Sequence, residues 1–162
     1  MRKIEIILQE CEKAFLEEGG RKERLVSKSE KYFSFIAVVI GFRLIELHPQ
    51  IQLANIQGMS YLIISIISFL LMGISLILSL LSIQVKGYVS YPRGNDLIDN
   101  LESEKVSDVE AKKAIAIMYL TARETNACLN DKKARILAFS GILLVIGFLT
   151  AVIGYLVGSF TF

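Results

Sequence analysis

The chain has 162 residues, of which 53% are hydrophobic and 21% are charged, and its formal net charge is +2. So small a net charge gives no basis for binding a nucleic acid polymer. The apolar residues stand in long blocks and do not recur at the short periods of a soluble domain, which predicts an all-α membrane protein.

An amphipathic helix is predicted near the start of the chain. Its apolar residues recur at intervals of three or four: Ile4, Ile7, Leu8, Cys11 and Phe15. Gly19-Gly20 is expected to end this helix, because glycine commonly follows a helix C-terminus. A second helix is expected to begin near Arg21 and to run into the membrane. Residues 1–31 are therefore predicted to be cytosolic N-terminal helices.

Two apolar blocks are long enough to cross a bilayer as helices. The predicted span at residues 60–83 includes 23 consecutive residues without a charge, Tyr61 to Ile83. As a helix this run is ~35 Å long, against the ~30 Å of a hydrocarbon core. The span at 136–160 has 25 residues without a charge.

A shorter block at residues 32–47 is predicted to be the first of three spans. It has 16 residues and carries Arg43 and Glu46. Pro49 is expected to end its helix. Arg43 then lies near the outer end of the span, where a long side chain reaches the headgroups.

The distribution of basic residues selects three spans over two. Residues 1–31 hold eight Lys or Arg, residues 84–135 hold nine, and residues 48–60 hold none. Basic segments prefer the cytoplasm, and only three spans place both of them there. The prediction is a multi-pass membrane protein with a cytoplasmic N-terminus and a cytosolic helical bundle, which the N-terminal arm forms with the insert between spans two and three.

The cytosolic insert, residues 84–135, is predicted to contain a long helix. The sequence "SDVE" from Ser107 to Glu110 has the pattern of a capping box. Neither Gly nor Pro follows until Gly141, so one helix is expected to continue into the third span. Its packing seam is predicted at 3–4 spacing: Ala111, Ala114, Ile115, Met118, Ala122 and Leu129.

The second span carries a polar stripe on one face. The stripe consists of five serines: Ser65, Ser68, Ser75, Ser79 and Ser82. At 100° per residue they share about a third of the helix circumference. Two interpretations stay open. The hydroxyls bond to backbone carbonyls and hold helices together, or they line a water path when subunits assemble.

Small residues form a face on the third span. They are Ser140, Gly147, Ala151, Gly154 and Gly158. Small residues let helix backbones approach closely. The face serves either packing within one chain or assembly of a homo-oligomer.

The insert also offers residues suited to a small anionic ligand. Arg93 precedes a predicted helix N-terminus, and such a terminus together with an Arg suits a phosphate. Tyrosines would stack on a base, and polar side chains would read its edge. The candidate ligand-binding residues are Tyr88, Tyr91, Arg93, Asn95, Asp96, Arg123 and Asn126. The alternative is that Arg93 and the tyrosines anchor the loop at the headgroups.

No enzyme is predicted. The chain has a single His and no phosphate-binding loop motif, so no catalytic constellation is recognisable. Two Cys and one His do not make a metal site. No catalytic residue, metal or cofactor is therefore expected.

Two segments resemble a known class of proteins. "KSEKYFSFIAVVIG" is similar to the start of the first membrane helix in small transmembrane effectors of bacterial anti-phage signalling. "KAIAIMYLTARETNACLNDKKARILAFSGILLVIGFLTAVIGYL" resembles their closing segment, a long cytosolic helix that enters a last span. The nearest resemblance is to Pycsar-type effectors, and the broader one is to SLATT-like effectors.

The resemblance implies a function that the composition alone does not. It implies a multi-pass protein of the bacterial inner membrane, an effector of abortive infection that binds a cyclic nucleotide through its cytosolic helices, oligomerises and disrupts that membrane. The alternative is a non-enzymatic membrane scaffold that binds a cytosolic protein through its amphipathic helices.

Overall fold

The computed structural model describes residues 2–52, 59–84, 87–90 and 107–161 of the chain. The described part is helical throughout its regular structure, which confirms the predicted all-α class. Its helices are α1 (Arg2–Gln52), α2 (Met59–Ile83) and α3 (Asp108–Thr161).

The chain divides into two compact units. Unit 1 consists of Met1–Leu25 and Lys86–Lys132, and unit 2 consists of Val26–Val85 and Lys133–Phe162. Helices α1 and α3 contribute residues to both units, whereas α2 belongs to unit 2.

Helix α1 corrects two predicted boundaries. It does not end at Gly19-Gly20 but continues to Gln52, three residues beyond Pro49. Glycine in a helix costs only about 1 kcal/mol, and the residues on either side of the pair are fixed by contacts with α3. Glu18 O accepts a hydrogen bond at 3.0 Å and Arg21 forms an ion pair at 2.6 Å. Pro49 removes one backbone hydrogen bond but does not end the helix.

Helix α3 begins as the capping box predicts. The Ser107 N–H donates to Glu110 Oε2 at 3.1 Å, and the Glu110 N–H donates back to Ser107 Oγ at 3.4 Å. Hydrogen bonds from the Ser107 side chain and backbone lower the pKa of Glu110. The helix then continues without a break to Thr161, as the absence of Pro and early Gly predicted.

In unit 1, the segments of α1 and α3 run parallel to each other. Lys112 Nζ contacts Glu5 Oε1 at 3.2 Å, and further along both helices Arg21 meets Asp131. Between these ion pairs lies a small core around Cys11, Ala116 and Tyr119. The ring of Phe15 packs against Tyr119 with centroids 5.6 Å apart.

The packing face of α3 differs from the predicted seam. The buried positions of α3 within unit 1 are Ala116, Tyr119, Ala122, Asn126 and Asn130. Ala122 is buried and Ile115 packs against the core, both as predicted, but Ala114 is exposed and Met118 keeps 41% of its surface. Hydropathy misplaced the seam because two asparagines belong to the buried face.

Helices α2 and α3 of unit 2 bury serines and expose large apolar side chains. Helix α2 runs antiparallel to α3, since Ser82, Ser75 and Ser68 meet successively later residues of α3. Large apolar side chains are exposed along both helices, whereas six of their serines are buried: Ser65, Ser68, Ser75, Ser79, Ser82 and Ser140. This arrangement is the reverse of a soluble core.

Two helices of the described part are long and apolar enough to cross a membrane. They are α2, over Tyr61–Ile83, and the apolar part of α3, and only 28% of each apolar window is buried within the chain. A core helix of a soluble protein would be mostly buried. The low burial therefore favours a lipid environment for these two helices.

Candidate functional site

A polar cluster in unit 1 holds the segment that follows α2. We call it the tyrosine cluster, and its members are Glu18, Lys22, Tyr88, Asn126 and Asn130. Asn130 is fully buried at its centre. Its Oδ1 accepts a hydrogen bond from the Tyr88 hydroxyl, and its Nδ2 donates to Glu18 O at 3.0 Å and to Glu18 Oε2 at 2.7 Å. One amide thus joins α1, α3 and the segment 87–90.

Asn126 pairs with the backbone of the same segment. Val89 N–H donates to Asn126 Oδ1 at 2.9 Å, and Asn126 Nδ2 donates to Val89 O at 3.1 Å. A primary amide is well suited to this double contact, because it presents a donor and an acceptor side by side. Gly87 has a φ of 99°, a conformation that side chains rarely adopt, and its left-handed turn immediately precedes the clamped residues.

The ring of Tyr88 is covered by a cation. Lys22 Nζ lies 4.4 Å from the ring centroid, within the range of a cation–π contact. Burial raises the pKa of the Tyr88 hydroxyl, the nearby Glu18 carboxylate adds to the rise, and Arg21 partly opposes it. Arg21 itself is held by Asp131, and their hydrogen bond raises its pKa.

Removing the Tyr88 hydroxyl is expected to change how stability depends on pH. A raised pKa means that the neutral phenol is favoured on folding, so this stabilisation is present below the unfolded-state pKa of 10.0 and is lost as pH rises through the folded-state value. Tyr88→Phe should unfold more easily than the wild type at pH 7, by about 1 kcal/mol for the lost hydrogen bond. The difference should shrink above about pH 10. Urea unfolding across this range measures it, and a constant difference would contradict the assignment.

The structure brings two of the predicted ligand-binding residues together. Tyr88 and Asn126 both belong to the tyrosine cluster. Arg123 does not join it, since its side chain is exposed. The other four predicted ligand-binding residues lie outside the described residues: Tyr91, Arg93, Asn95 and Asp96.

Sequence reasoning missed three members of the cluster, Glu18, Lys22 and Asn130. A signal for Asn130 was present. It follows Asn126 by four residues, so both amides share one face of α3, and that face contacts α1. Glu18 and Lys22 carried no such signal, because charges in an amphipathic helix are ordinarily solvated.

The serine stripe of α2 is the polar interior of unit 2. Ser68 donates to Gly147 O at 2.8 Å, Ser75 donates to Ser140 O at 2.8 Å, and Ser82 donates to Lys133 O at 3.4 Å. In return, Ser140 donates to Ser75 O at 2.8 Å, and its Oγ lies 2.8 Å from Ser79 Oγ. Four of the five serines therefore bind α3 and join two helices, which is the packing alternative.

Two serines complete this interior at its ends. Ser29 of α1 lies 3.0 Å from Ser82, Oγ to Oγ, so the same network reaches all three helices of unit 2. Ser65, near the other end of α2, is fully buried and its hydroxyl has no hydrogen-bond partner among the described residues.

The small residues of α3 pack against α2 of the same chain. A Cβ on Gly147 would lie 3.1 Å from Met72 Cγ and 3.2 Å from Leu71 Cβ, and one on Gly154 would lie 3.0 Å from Ile64 Cγ2. Ser140 and Ala151 are buried in line with them. The surroundings of Gly158 lie outside the described part. Within one chain, this face therefore already has a partner helix.

Nothing within the described ranges resembles a metal site, since no three His, Cys, Asp or Glu residues there converge. The polar side chains of the tyrosine cluster contact the backbone of Glu18 and Val89 and the ring of Tyr88. The buried serines of unit 2 join its helices to one another. No protein-family model, curated protein or solved structure matches the chain.

Proposed function

We propose that this protein is a membrane-disrupting effector of abortive infection. A cyclic nucleotide binds its cytosolic helices, the protein oligomerises, and the integrity of the bacterial inner membrane is lost. The observation that carries the membrane part is the reversed polarity of α2 and α3 in unit 2, which bury serines between them and expose large apolar side chains. The ligand and its consequence rest on the resemblance described above.

A third span completes the membrane part of the proposal. Within unit 2, Tyr32 of α1 approaches Gly141 of α3 to 3.5 Å, measured to a Cβ placed on the glycine. Eleven residues later, Arg43 shares a groove with Tyr155. The stretch of α1 from Tyr32 to Arg43 therefore runs beside the apolar stretch of α3, and if α3 crosses the bilayer, this part of α1 lies at the same depth.

With three spans, unit 1 lies in the cytoplasm. Its surface carries the charges expected there, including the exposed ion pairs of Arg21 with Asp131 and of Lys112 with Glu5. Both basic segments of the chain then obey the positive-inside preference.

The tyrosine cluster is the part of unit 1 best suited to receive a nucleotide. An anionic phosphate would attract Lys22 and Arg21, which at present contact the Tyr88 ring and two carboxylates. A base would stack on the ring that Lys22 covers. Tyr91, Arg93, Asn95 and Asp96 follow within eight residues of Tyr88, close enough in the chain to add the predicted contacts.

Binding there would disturb the segment that directly follows α2. The Val89 backbone is held by Asn126, and Tyr88 is held by Asn130. A ligand shifts an equilibrium only if it binds one state better than the other. Here the ligand-bound state would be one in which Lys22 and Tyr88 contact nucleotide and no longer each other.

Oligomerisation through the small-residue face requires an exchange of partners. Gly147 and Gly154 now contact α2 of their own chain. A second copy offers the same serine stripe, so an α2 from a neighbouring chain would restore the hydrogen bonds that Ser140 loses. The exchange therefore conserves contacts while linking chains, as in domain swapping.

The test is the membrane potential of bacteria that express this protein together with one of a panel of cyclic mono- and dinucleotide synthases. We expect depolarisation with one synthase and none with its catalytically inactive variant. Lys22→Gln should reduce the response, whereas Arg123→Gln, at an exposed position outside the cluster, should not. If no synthase causes depolarisation, the proposed activity is wrong.

A membrane scaffold is the second candidate, and one observation favours it. Unit 1 exposes large apolar side chains on α1, with Ile6, Ile7 and Leu16 each more than half exposed. Such residues suit contact with a cytosolic protein. The scaffold predicts recovery of a partner that Ile7→Asp abolishes, together with normal growth on overexpression.

A further inference from the structure

One side of unit 2 carries a groove between α1 and α3. Its volume is about 380 Å³, within the range of small-molecule sites. It is lined by Val39 and Arg43 of α1 and by Phe148, Ala151, Val152 and Tyr155 of α3.

The groove combines apolar walls with one cation and one phenol. Phe148 and Tyr155 are more than half exposed, so the groove opens to the surroundings of the bundle. The guanidinium of Arg43 is partly enclosed, because its Nε and Nη2 atoms are shielded by protein. A cation beside hydrocarbon favours an anionic ligand.

The polar groups stand at one end of the groove. Because α1 and α3 run parallel here, Arg43 and Tyr155 lie toward the C-terminal ends of both helices, while Val39 and Phe148 lie one and two turns earlier. At 1.5 Å per residue, the α3 wall from Phe148 to Tyr155 is about 10 Å long. The groove thus has a polar end and an apolar end, like the molecules that form a bilayer.

We propose that this groove binds a phospholipid, with its phosphate on Arg43 and an acyl chain along Phe148, Val152 and Val39. The positive charge of Arg43 complements the negative charge of a phosphate, and tyrosine is common at the headgroup level. The proposal rests on unit 2 standing in a membrane, which is part of the proposed function, but it does not depend on a nucleotide or on depolarisation.

A second groove in unit 2 has only apolar residues in its lining and serves for comparison with the first. It has a volume of about 290 Å³ and is lined by Leu44, Ile66, Phe69 and Leu70. Its lining carries no side chain that would fix a headgroup, so acyl chains pass it without a preferred position. Arg43 distinguishes the lipid site from this ordinary apolar groove.

The test uses the full chain, purified in detergent and freed of lipid, with phosphatidylglycerol and diacylglycerol of identical acyl chains as probes. Native mass spectrometry counts the lipids that stay bound. The wild type should retain one phosphatidylglycerol and little diacylglycerol. Arg43→Gln should lower phosphatidylglycerol retention roughly tenfold, as expected for a lost charged hydrogen bond. Arg135→Gln, which removes an exposed arginine of the same unit, should leave it unchanged.

A second variant tests the groove in case Arg43→Gln fails to fold. Val152 keeps 42% of its surface, so Val152→Phe should fill the groove without disturbing the bundle or the charge of Arg43. It should also displace the lipid. Equal retention of phosphatidylglycerol by the wild type and both groove variants would overturn the proposal, as would equal retention of diacylglycerol. Loss of lipid binding would leave the depolarisation by a nucleotide intact. A failure of the lipid-site proposal can therefore be distinguished from a failure of the proposed function.

Discussion

Replacing Gly147 by leucine should lower the free energy of unfolding by about 3 kcal/mol, the upper part of the range for overpacking. A Cβ at this position would already lie 3.1 Å from Met72 Cγ and 3.4 Å from the backbone nitrogen of Met72. A side chain yields to such a contact, but the helix backbone does not, so α2 must move away from α3. The hydrogen bond from Ser68 to Gly147 O would then be lost as well.

The measurement is thermal unfolding in detergent, followed by circular dichroism. For a chain of this size, the loss corresponds to a midpoint about 6 to 12 °C lower. The matched control is Gly73→Leu, because a Cβ at Gly73 meets nothing within 4 Å. It should melt at or above the wild-type temperature. If Gly147→Leu melts with the wild type, then α2 and α3 do not pack as described.

The same geometry bears on the proposed oligomer. Gly154→Leu would place its side chain against Ile64 in the same chain. A loss of toxicity in this variant therefore has two possible causes, failed assembly of the oligomer or disturbed packing within one chain. Melting temperature separates them. A variant that is stable but inactive points to assembly, whereas one that is unstable and inactive points to packing within the chain.

The helical class and the two apolar helices were predictable because they depend on long runs of sequence. The charge-free block from Tyr61 to Ile83 has few alternatives to a membrane helix, and the capping box at Ser107 is a local pattern that tertiary structure did not overrule. The serine stripe was also recognisable from its spacing. What spacing did not decide was its partner, because a hydroxyl bonds equally well to its own helix, to another helix or to water.

Both wrong boundaries were predicted from local signals. Gly19-Gly20 and Pro49 are local signals worth about 1 to 3 kcal/mol, and contacts from elsewhere in the chain outweigh the first of them. Glu18 and Arg21 are anchored by Asn130 and Asp131, which are more than 100 residues away in sequence. No local pattern contains that information.

The packing face of α3 was misplaced for a related reason. Hydropathy selects apolar residues such as Met118, but the buried face includes Asn126 and Asn130. An asparagine is buried favourably only when its amide finds partners. Those partners are Glu18, Tyr88 and the Val89 backbone, which belong to other segments, so the tyrosine cluster became recognisable only when the three segments were seen together.

Asn130→Ala is expected to be the most damaging substitution in unit 1, at about 3 kcal/mol. The alanine removes an acceptor from the Tyr88 hydroxyl and a donor from the backbone oxygen and Oε2 of Glu18. Asn130 is fully buried, and each polar group left without a partner in such a place costs about 1 to 3 kcal/mol. The control is Thr125→Ala, an exposed position whose hydroxyl bonds only to Thr121 of its own helix. It should change stability by less than about 0.5 kcal/mol.

Hydrogen exchange at Val89 separates loss of the cluster from general destabilisation. The Val89 N–H donates to Asn126, whose contact does not involve Asn130 directly. If Tyr88 and Val89 are held as one segment, Asn130→Ala should speed exchange at Val89 more than at Ala116 in the core, and Asn126→Ala should speed it at least as much. Uniform acceleration throughout unit 1 would mean that Asn130 supports the whole helix pair. Selective acceleration at Val89 would mean that the segment following α2 can be released while α1 and α3 stay packed, which is the freedom that a nucleotide-driven change at the tyrosine cluster requires.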